Sequence, residues 1–324
     1  METKTRLEPP VIDLGRREQH PRRRPMMLAI AGDSAAGKTT LAAGIRAILG
    51  RDRITAVCTD DYHRYDRAQR AANGITPLHP ACNYIDVIEQ HLELLRRGEP
   101  ILKPVYQHAT GTFGPPLYVR PNEIVVVEGL LPLFTERMRS VFDATVYLDP
   151  PEDLRRRWKI QRDCAKRGYE PEQVLDELER REKDSATFIR PQRNRADIVV
   201  RFSPPRRVAD GDDAHLDVSL VLRPRTSHPD LSSVLGWVES EPIRLRLGRD
   251  AGAPVDVLEI DGCVEDADAA RVEDVLWDRM HGPDRVRREE VGRFAANGSA
   301  RHSHALALTQ LLIVSSLLTA GDRA

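Results

Sequence analysis

Short apolar runs alternate with longer segments of helical spacing over the first two thirds of the chain. The runs predict buried strands at residues 27–31, 54–58, 124–127, 144–148 and 198–202. The longer segments, in which apolar residues recur every three or four positions, predict helices at residues 38–49, 84–97, 151–166 and 171–183. Strands that alternate with helices imply an α/β fold, a mostly parallel sheet with helices on both faces.

The pattern changes after Pro205. Strands are predicted at residues 215–222, 243–247 and 255–260 without long helices between them, and helices at residues 267–280 and 304–318. We therefore divide the chain into a disordered leader (1–25), a main domain (26–205) and a β-rich appendage with C-terminal helices (206–324). The apolar stretch 305–320 is shorter than the roughly 20 residues of a membrane span, so we expect a buried helix and no membrane association.

Composition narrows the classes of function. The 324 residues include 49 Lys and Arg against 50 Asp and Glu, a net charge of −1. This argues against a general nucleic-acid-binding protein, because such proteins carry a basic surplus. Residues 1–25 are polar and rich in Arg and Pro, and they lack the apolar core of a signal peptide. The four cysteines form no CxxC pair, so a reducing cytoplasm is the expected location.

The segment GDSAAGKT, residues 32–39, matches the pattern G-x-x-x-x-G-K-[ST] between a predicted strand and a predicted helix. Its glycines let backbone N–H groups curl around an anion, and the helix N-terminus adds partial positive charge. Lys38 supplies a full charge to the β and γ phosphates, and the Thr39 hydroxyl can ligate Mg²⁺. The predicted ATP-binding residues are Gly32, Asp33, Ser34, Ala35, Ala36, Gly37, Lys38, Thr39 and Thr40.

Acidic residues follow two later strands. Asp60 and Asp61 come directly after the second strand, and ligands of an open parallel sheet bind at the carboxyl ends of its strands. A carboxylate there can accept the proton of an attacking hydroxyl. We assign this role to Asp60, which is nearer the strand end, and expect Asp61 to hold metal through water or to brace the loop. Glu128 ends the third strand and suits Mg²⁺ or its water shell, and His63 and Arg67 suit an anionic acceptor.

Residues 155–168 predict a strongly charged helix. Lys159, Arg162 and Lys166 share one face of it, flanked by Asp163 and Arg167. Such a face can close over transferring phosphates. A charge-rich helix is as often a solvated surface, so both interpretations stay open at this point.

Five segments in a fixed order resemble the phosphoribulokinase and uridine kinase family of P-loop kinases. They are DDYHRYDR (60–67), KPVYQHATG (103–111), VVEGLLP (126–132), KIQRD (159–163) and RPQRNRADIVV (190–200). The resemblance covers residues 27–205. It implies a P-loop kinase fold and ATP-dependent phosphorylation, with Mg²⁺, of the C1 hydroxyl of D-ribulose 5-phosphate.

The resemblance also implies roles for single residues. Asp60 falls at the position of the catalytic base, with Lys38 and Glu128 as the other catalytic residues, and Thr39 and Glu128 as metal ligands. The implied sugar-phosphate and lid positions are His63, Arg67, Tyr106, His108, Lys159, Arg162 and Arg167. The expected partners are ATP, a sugar phosphate and further copies of the same chain, with no nucleic acid and no membrane.

Two positions depart from the family pattern. Ala36 stands where plant-type members carry a loop cysteine, so Cys58 lacks a partner for thiol switching, and Leu131 replaces a histidine. Two alternative functions stay open. A uridine-kinase-like nucleoside kinase would leave the Arg and His residues after Asp60 unexplained. A nucleotide-sensing regulatory protein without turnover would not need both Asp60 and Glu128.

Overall fold

The computed structural model of the chain describes residues 24–205, 215–224, 242–280, 286–296 and 299–321. The predicted leader therefore lies almost entirely outside the described residues, as do parts of the predicted appendage. The strands are Met26–Gly32 (β1), Ile54–Cys58 (β2), Ile101–Gln107 (β3), Thr112–Val119 (β4), Ile124–Gly129 (β5), Ala144–Leu148 (β6), Ile198–Ser203 (β7), Asp217–Leu222 (β8), Ile243–Asp250 (β9), Ala253–Ile260 (β10), Arg293–Ala296 (β11) and Ser299–His302 (β12).

Helices connect most of these strands. They are Lys38–Leu49 (α1), Arg67–Ala72 (α2), Ile85–Arg96 (α3), Glu136–Arg139 (α4), Glu152–Arg167 (α5), Pro171–Asp184 (α6), Asp266–Arg279 (α7) and His304–Gly321 (α8). A π turn, Ser185–Ile189, continues α6 and leads into a 3₁₀ helix, Arg190–Arg195.

One sheet of eight strands forms the centre of the molecule, in the order β2-β5-β1-β6-β7-β8-β10-β9. The first five strands of that order pair in parallel, and the last three pair antiparallel. The predicted fold class, a mostly parallel sheet flanked by helices and followed by C-terminal strands and helices, is confirmed. The division into domains at residue 205 stays a prediction, since β8 pairs directly with β7.

Helices cover both faces of the parallel strands, because alternate residues of each strand point to opposite sides. On one face, Leu28 and Ile30 belong to the apolar cluster formed with α1, α7 and α8. On the other, Met27 belongs to the cluster that includes Ile88 and Leu92 of α3. β1 is therefore buried on both sides, which explains its uninterrupted apolar sequence.

The C-terminal helix α8 is part of the core. By length and composition alone it could cross a membrane, but 78% of it is buried inside the fold. Apolar residues surround the helix, and Thr309, Gln310, Ser315 and Ser316 are buried with them. The prediction of a buried C-terminal helix is confirmed.

The predicted strands and helices before Pro205 are all present, and their ends differ from the predicted ones by at most two residues. The sequence pattern did not reveal the β3–β4 hairpin, because Pro104, Pro115 and Pro116 interrupt it and proline removes a backbone donor from a strand. The short helix α2 and the β11–β12 hairpin were also missed, since six-residue helices and four-residue strands carry little periodicity.

Replacing Leu312 by alanine is expected to lower the free energy of unfolding by about 2–5 kcal/mol, since it opens a cavity in the fully buried centre of α8. Leu247→Ala is the matched control: Leu247 is 76% exposed on β9, so its removal should change stability by less than about 0.5 kcal/mol. Urea unfolding of the two variants measures the difference. Equal losses would contradict the placement of α8 in the core.

Candidate active site

Three neighbouring parallel strands end at the same edge of the sheet and carry the predicted chemistry. β1 ends at Gly32, β2 at Cys58 and β5 at Gly129, and the strand register places Glu128 between Cys58 and Ile30. The phosphate-binding loop, the acidic turn after β2 and Glu128 are therefore adjacent at the carboxyl edge, where an open α/β sheet binds its ligands.

The loop between β1 and α1 wraps around the side chain of Lys38. Its Nζ donates to the carbonyl oxygens of Gly32 (2.9 Å) and Asp33 (2.8 Å), and the side chain is buried. Gly37, the residue before α1, has φ of 95°, which residues with a Cβ rarely adopt. The predicted ATP-binding residues thus form one continuous loop with a buried cation inside it and a helix N-terminus at its end, an arrangement that binds phosphate.

Asp60 lies in the 3₁₀ turn Thr59–Tyr62, directly after β2. Its Oδ1 accepts a hydrogen bond from the backbone N–H of Leu130 (3.0 Å). The two loops approach this closely because residue 129 is glycine: a Cβ there would overlap the Thr59 hydroxyl and lie 3.0 Å from Asp60 Oδ1. The loop after β5 therefore fixes the orientation of the Asp60 carboxylate.

Glu128 contacts the other predicted metal ligand, since its Oε2 accepts a hydrogen bond from Thr39 Oγ1 (3.1 Å). Burial raises the pKa of the Glu128 carboxyl; the charge of Lys38 and the Thr39 hydroxyl oppose this, and the charge of Asp60 adds to it. A carboxylate and a hydroxyl fit Mg²⁺, which takes oxygen ligands and commonly binds one or two carboxylates together with phosphates and water. Among the described residues, no group of three or more His, Cys, Asp and Glu side chains is arranged so that it could hold a metal ion by itself.

Asp61 makes contacts that differ from those of Asp60. It forms an ion pair with Lys103, and its Oδ1 accepts a hydrogen bond from the backbone N–H of Tyr106 (3.0 Å). Both partners belong to β3. Asp61 therefore braces the β3–β4 hairpin against the acidic turn, which is one of the two roles predicted for it.

The imidazole of His63 is buried, with Nδ1 2.8 Å from Asn83 Oδ1. The Asn83 amide nitrogen donates to the carbonyls of Pro77 and His79, so its oxygen accepts and Nδ1 carries the ring proton. Burial lowers the pKa of His63 to about 4, although the charge of Asp60 acts in the opposite direction. The ring is therefore neutral at neutral pH. It does not supply the positive charge expected for an anionic acceptor, but Nε2 can accept a hydrogen bond from a hydroxyl.

The β3–β4 hairpin brings Tyr106 and His108 next to His63 and Arg67. The centre of the Tyr106 ring lies 4.8 Å from that of His63 and 5.1 Å from that of His108, and Arg67 Nη2 donates to the His108 carbonyl (2.5 Å). Four predicted substrate-binding residues thus form one cluster. Arg70, which the sequence analysis missed, joins it by donating to the Tyr106 hydroxyl (2.6 Å). Its position three residues after Arg67, on the same face of a helix, was the available signal.

Helix α5 contacts the phosphate-binding loop through two arginines. Arg162 Nη2 lies 3.4 Å from Ser34 Oγ, and the lid position of Arg162 stays a prediction. Arg155 Nη1 donates to the Ser34 carbonyl (3.1 Å) and lies 3.6 Å from the Asp33 carboxylate. Arg155 was missed because it begins a run of three arginines. The sequence does not show which of the three contacts the loop, since that depends on the orientation of the helix in the fold.

The sequence predicted Lys159 on an open basic face of the helix, but the structure places its side chain in the interior. It is fully buried, and its Nζ donates to Asp163 Oδ2 (2.8 Å) and Glu177 Oε2 (3.3 Å). Burial lowers the pKa of Lys159. Burial opposes ionisation of Asp163, but hydrogen bonds from Arg162 and Lys159 outweigh it and lower the pKa of Asp163 to about 2. The substrate contact of Lys159 stays a prediction, and the side chain of Arg167 lies outside the described residues.

The departure from the family pattern at Leu131 has a local explanation. Leu131 is 2% exposed and belongs to an apolar cluster with Leu78 and Ile189, so an apolar side chain suits its position. Cys58 is a free thiol, and burial together with nearby carboxylates, Asp60 first, raises its pKa well above the ordinary value. A thiol with a raised pKa reacts slowly at neutral pH.

The parallel sheet, the phosphate-binding loop with its buried lysine and the acidic residues beside it define a P-loop kinase. A model of the phosphoribulokinase/uridine kinase family matches residues 27–209. The chain belongs to this family, as the five sequence segments indicated.

Individual relatives agree with this assignment. A phosphoribulokinase from Synechocystis sp. is 37% identical over 258 residues, which cover 75% of this chain and 78% of the relative. The chloroplastic phosphoribulokinase of Triticum aestivum is 32% identical over 79% of this chain and 71% of its own length. A uridine kinase of Geobacillus sp. is 30% identical over 62% of this chain and 93% of its own length.

A solved structure supports the fold. The phosphoribulokinase from Rhodobacter spheroides superimposes with a TM-score of 0.57, covering 80% of this chain and 98% of that one. Its sequence identity to this chain is 19%, so this likeness bears on the fold alone.

Glu128→Gln is expected to stabilise the protein in the absence of nucleotide. Burial raises the pKa of Glu128 in the folded state, so the folded state loses stability as pH rises from the unfolded pKa through the folded one. An amide carries no charge and can still accept the Thr39 hydrogen bond. The gain in Tm should be near zero below about pH 4 and grow toward neutral pH.

Thermal unfolding across this pH range measures the effect. Glu179→Gln, on the exposed side of α6, is the control and should change Tm less than Glu128→Gln does at neutral pH, because its side chain keeps its contact with water. A Glu128→Gln protein that is less stable than the wild type at neutral pH would show that the carboxylate is stabilised in the folded state, contrary to this expectation.

Proposed function

We propose that the chain is a phosphoribulokinase, which transfers the γ-phosphoryl group of ATP to the C1 hydroxyl of D-ribulose 5-phosphate. The observation that carries the proposal is a group of three arginines after the acidic turn: Arg64, Arg67 and Arg70. Within the described part of the chain, none of the three forms an ion pair. Arg64 lies over the Tyr84 ring (4.9 Å to its centroid), and Arg67 and Arg70 donate to carbonyl and hydroxyl oxygens.

Three guanidinium groups with neutral partners suit a second anion, distinct from the phosphates of ATP. Burial raises the pKa of the Cys82 thiol, and the charges of Arg70, Arg181 of α6 and Arg64 oppose this, so all three lie near Cys82; Arg181 also pairs with Glu177. The phosphate already present on a sugar phosphate accounts for such a site. Uridine carries no phosphate and would leave these arginines without a function.

The chemistry follows from the geometry at the sheet edge. The Asp60 carboxylate accepts the proton of the C1 hydroxyl while the hydroxyl oxygen attacks the γ-phosphorus. The bond from that phosphorus to the β,γ-bridging oxygen breaks, and ADP leaves. Lys38 and the backbone N–H groups of the loop bind the phosphoryl oxygens. Thr39 and Glu128 would hold Mg²⁺, which when bound would supply further positive charge to the phosphates.

The remaining site residues bind the acceptor. We assign the sugar phosphate to the cluster of His63, Arg67, Tyr106 and His108, in which His63 accepts from a sugar hydroxyl and Arg67 binds the phosphate. Lys159, Arg162 and Arg167 belong to the lid side of the site. A sensor without turnover would not need a carboxylate oriented like that of Asp60.

We also propose that the protein acts in the cytoplasm as a homo-oligomer, without nucleic-acid or membrane partners. Its four cysteines are free thiols in the structure, as is usual in a reducing compartment.

A substrate panel tests the proposal. ADP release is measured with ATP and Mg²⁺ in the presence of ribulose 5-phosphate, other pentose and hexose phosphates, or uridine. Ribulose 5-phosphate should give the highest kcat/KM. A higher value with uridine would instead support the nucleoside kinase, and no release with any acceptor would support the nucleotide sensor.

Asp60 and Asp61 are separated by paired substitutions. Asp60→Asn should lower kcat about 10²- to 10⁴-fold, the usual effect of removing a general base, with little change in the KM for the sugar phosphate. Asp61→Asn removes the Lys103 ion pair and should act mainly on stability and KM. Arg67→Ala should mainly raise the KM for ribulose 5-phosphate. A larger loss of kcat in Asp61→Asn than in Asp60→Asn would show that the base is misassigned.

A further inference from the structure

Residues 184–195, which begin at the last residue of α6, contact the phosphate-binding loop, the loop after β5 and the chain that follows α2. Asp184 accepts a hydrogen bond from Thr76 Oγ1 (2.6 Å), in the chain that follows α2. The Ser185 hydroxyl donates to the Asp33 carboxylate in the phosphate-binding loop. Gln192 bonds to the loop after β5. We refer to residues 184–195 as the connecting segment.

Gln192 makes the most complete set of these contacts. Its side chain is 3% exposed. Its Nε2 donates to the carbonyl oxygens of Leu130 (2.7 Å) and Phe188 (3.0 Å), and its Oε1 accepts from the backbone N–H of Leu133 (2.9 Å). Both amide protons and the oxygen are used, so the side chain has one well-defined orientation.

Leu130 forms hydrogen bonds with both Gln192 and Asp60. The carbonyl of Leu130 accepts from Gln192, and the N–H of Leu130 donates to Asp60 Oδ1 (3.0 Å). A shift of this loop therefore moves the donor that orients the Asp60 carboxylate. Among the described residues Gln192 forms no hydrogen bond with Asp60 or with the phosphate-binding loop, so its route to Asp60 runs through the loop after β5, in which Leu130 carries the bond to Asp60.

We propose that Gln192 is a positioning residue for Asp60. It acts through the peptide groups of Leu130, whose carbonyl bonds to Gln192 and whose N–H bonds to Asp60. The proposal rests on the proposed function, in which Asp60 is the general base. Without the Gln192 amide, the Leu130 carbonyl and the Leu133 N–H are left buried without partners. The loop then relaxes to satisfy them, and the Asp60 carboxylate moves away from the attacking hydroxyl.

Gln192→Met tests the proposal, since methionine nearly matches glutamine in length and volume but lacks the amide. It should lower kcat about 10- to 100-fold, because a displacement of about 1 Å has effects of this size. The KM for ATP should stay unchanged, because the phosphate-binding loop keeps its own contacts. Wild-type kcat in a folded Gln192→Met protein would overturn the proposal.

Gln310→Met is the matched control. Gln310 is also buried, and its Oε1 also accepts from a backbone N–H, that of Gly292 (2.8 Å), but it lies on α8 in the core. It should lower stability without lowering the kcat of the folded protein. Equal losses of kcat in both variants would show that any buried glutamine has this effect, and would overturn the proposal. If the Gln192→Met protein does not fold, Gln192→Asn is the second variant. Asparagine keeps the amide but is one methylene shorter, so this variant should lower kcat in the same way.

A double-mutant cycle separates this inference from the function on which it rests. In an Asp60→Asn background, Gln192→Met should cause little further loss of kcat, because the carboxylate that it positions is already gone. Losses that multiply would show that Gln192 acts elsewhere. Full kcat in Asp60→Asn alone would overturn both the base assignment and this inference. A strongly impaired Asp60→Asn beside an unimpaired Gln192→Met would overturn this inference alone.

Discussion

The parallel pairing of β2, β5 and β1 is the constraint on which the site depends. Their register aligns Cys58 with Glu128 and Glu128 with Ile30, so three loops that are distant in sequence leave the sheet side by side. Because every strand of a parallel sheet presents the same end at one edge, the phosphate-binding loop, Asp60 and Glu128 must converge. Asp60 then reaches the Leu130 amide only because Gly129 leaves room between the loops.

The polar groups of the site are buried, and this burial governs their ionisation. It raises the pKa of Glu128 and lowers that of His63 to about 4. Ionised Glu128 therefore lowers the stability of the folded protein, and the imidazole of His63 stays neutral. Hydrogen bonds reverse the effect of burial at Asp163. A large apolar core elsewhere offsets such costs, and the C-terminal strands and α8 provide much of it.

The side of the site formed by α5 and α6 is linked to the sheet edge by polar contacts rather than by a large apolar interface. Arg155 and Arg162 contact Ser34, and the connecting segment bonds to the phosphate-binding loop, to the loop after β5 and to Thr76. These contacts tie the position of the helices to the phosphate-binding loop and to the loop that orients Asp60. A P-loop kinase needs this coupling because binding and water exclusion must accompany phosphoryl transfer.

The sequence by itself determined the sheet, most of its helices, the phosphate-binding loop and the acidic positions beside it, because hydrophobic periodicity and short motifs are local properties of the chain. It could not reveal the proline-interrupted β3–β4 hairpin, the neutral state of His63, the burial of Lys159 or the contacts of Arg155 and Gln192. Each of these depends on partners far away in sequence: Asn83 lies 20 residues from His63, and Leu130 lies 62 residues from Gln192. Only the tertiary structure decides which polar side chains are buried against which partners, and burial and hydrogen bonding set their charge and orientation.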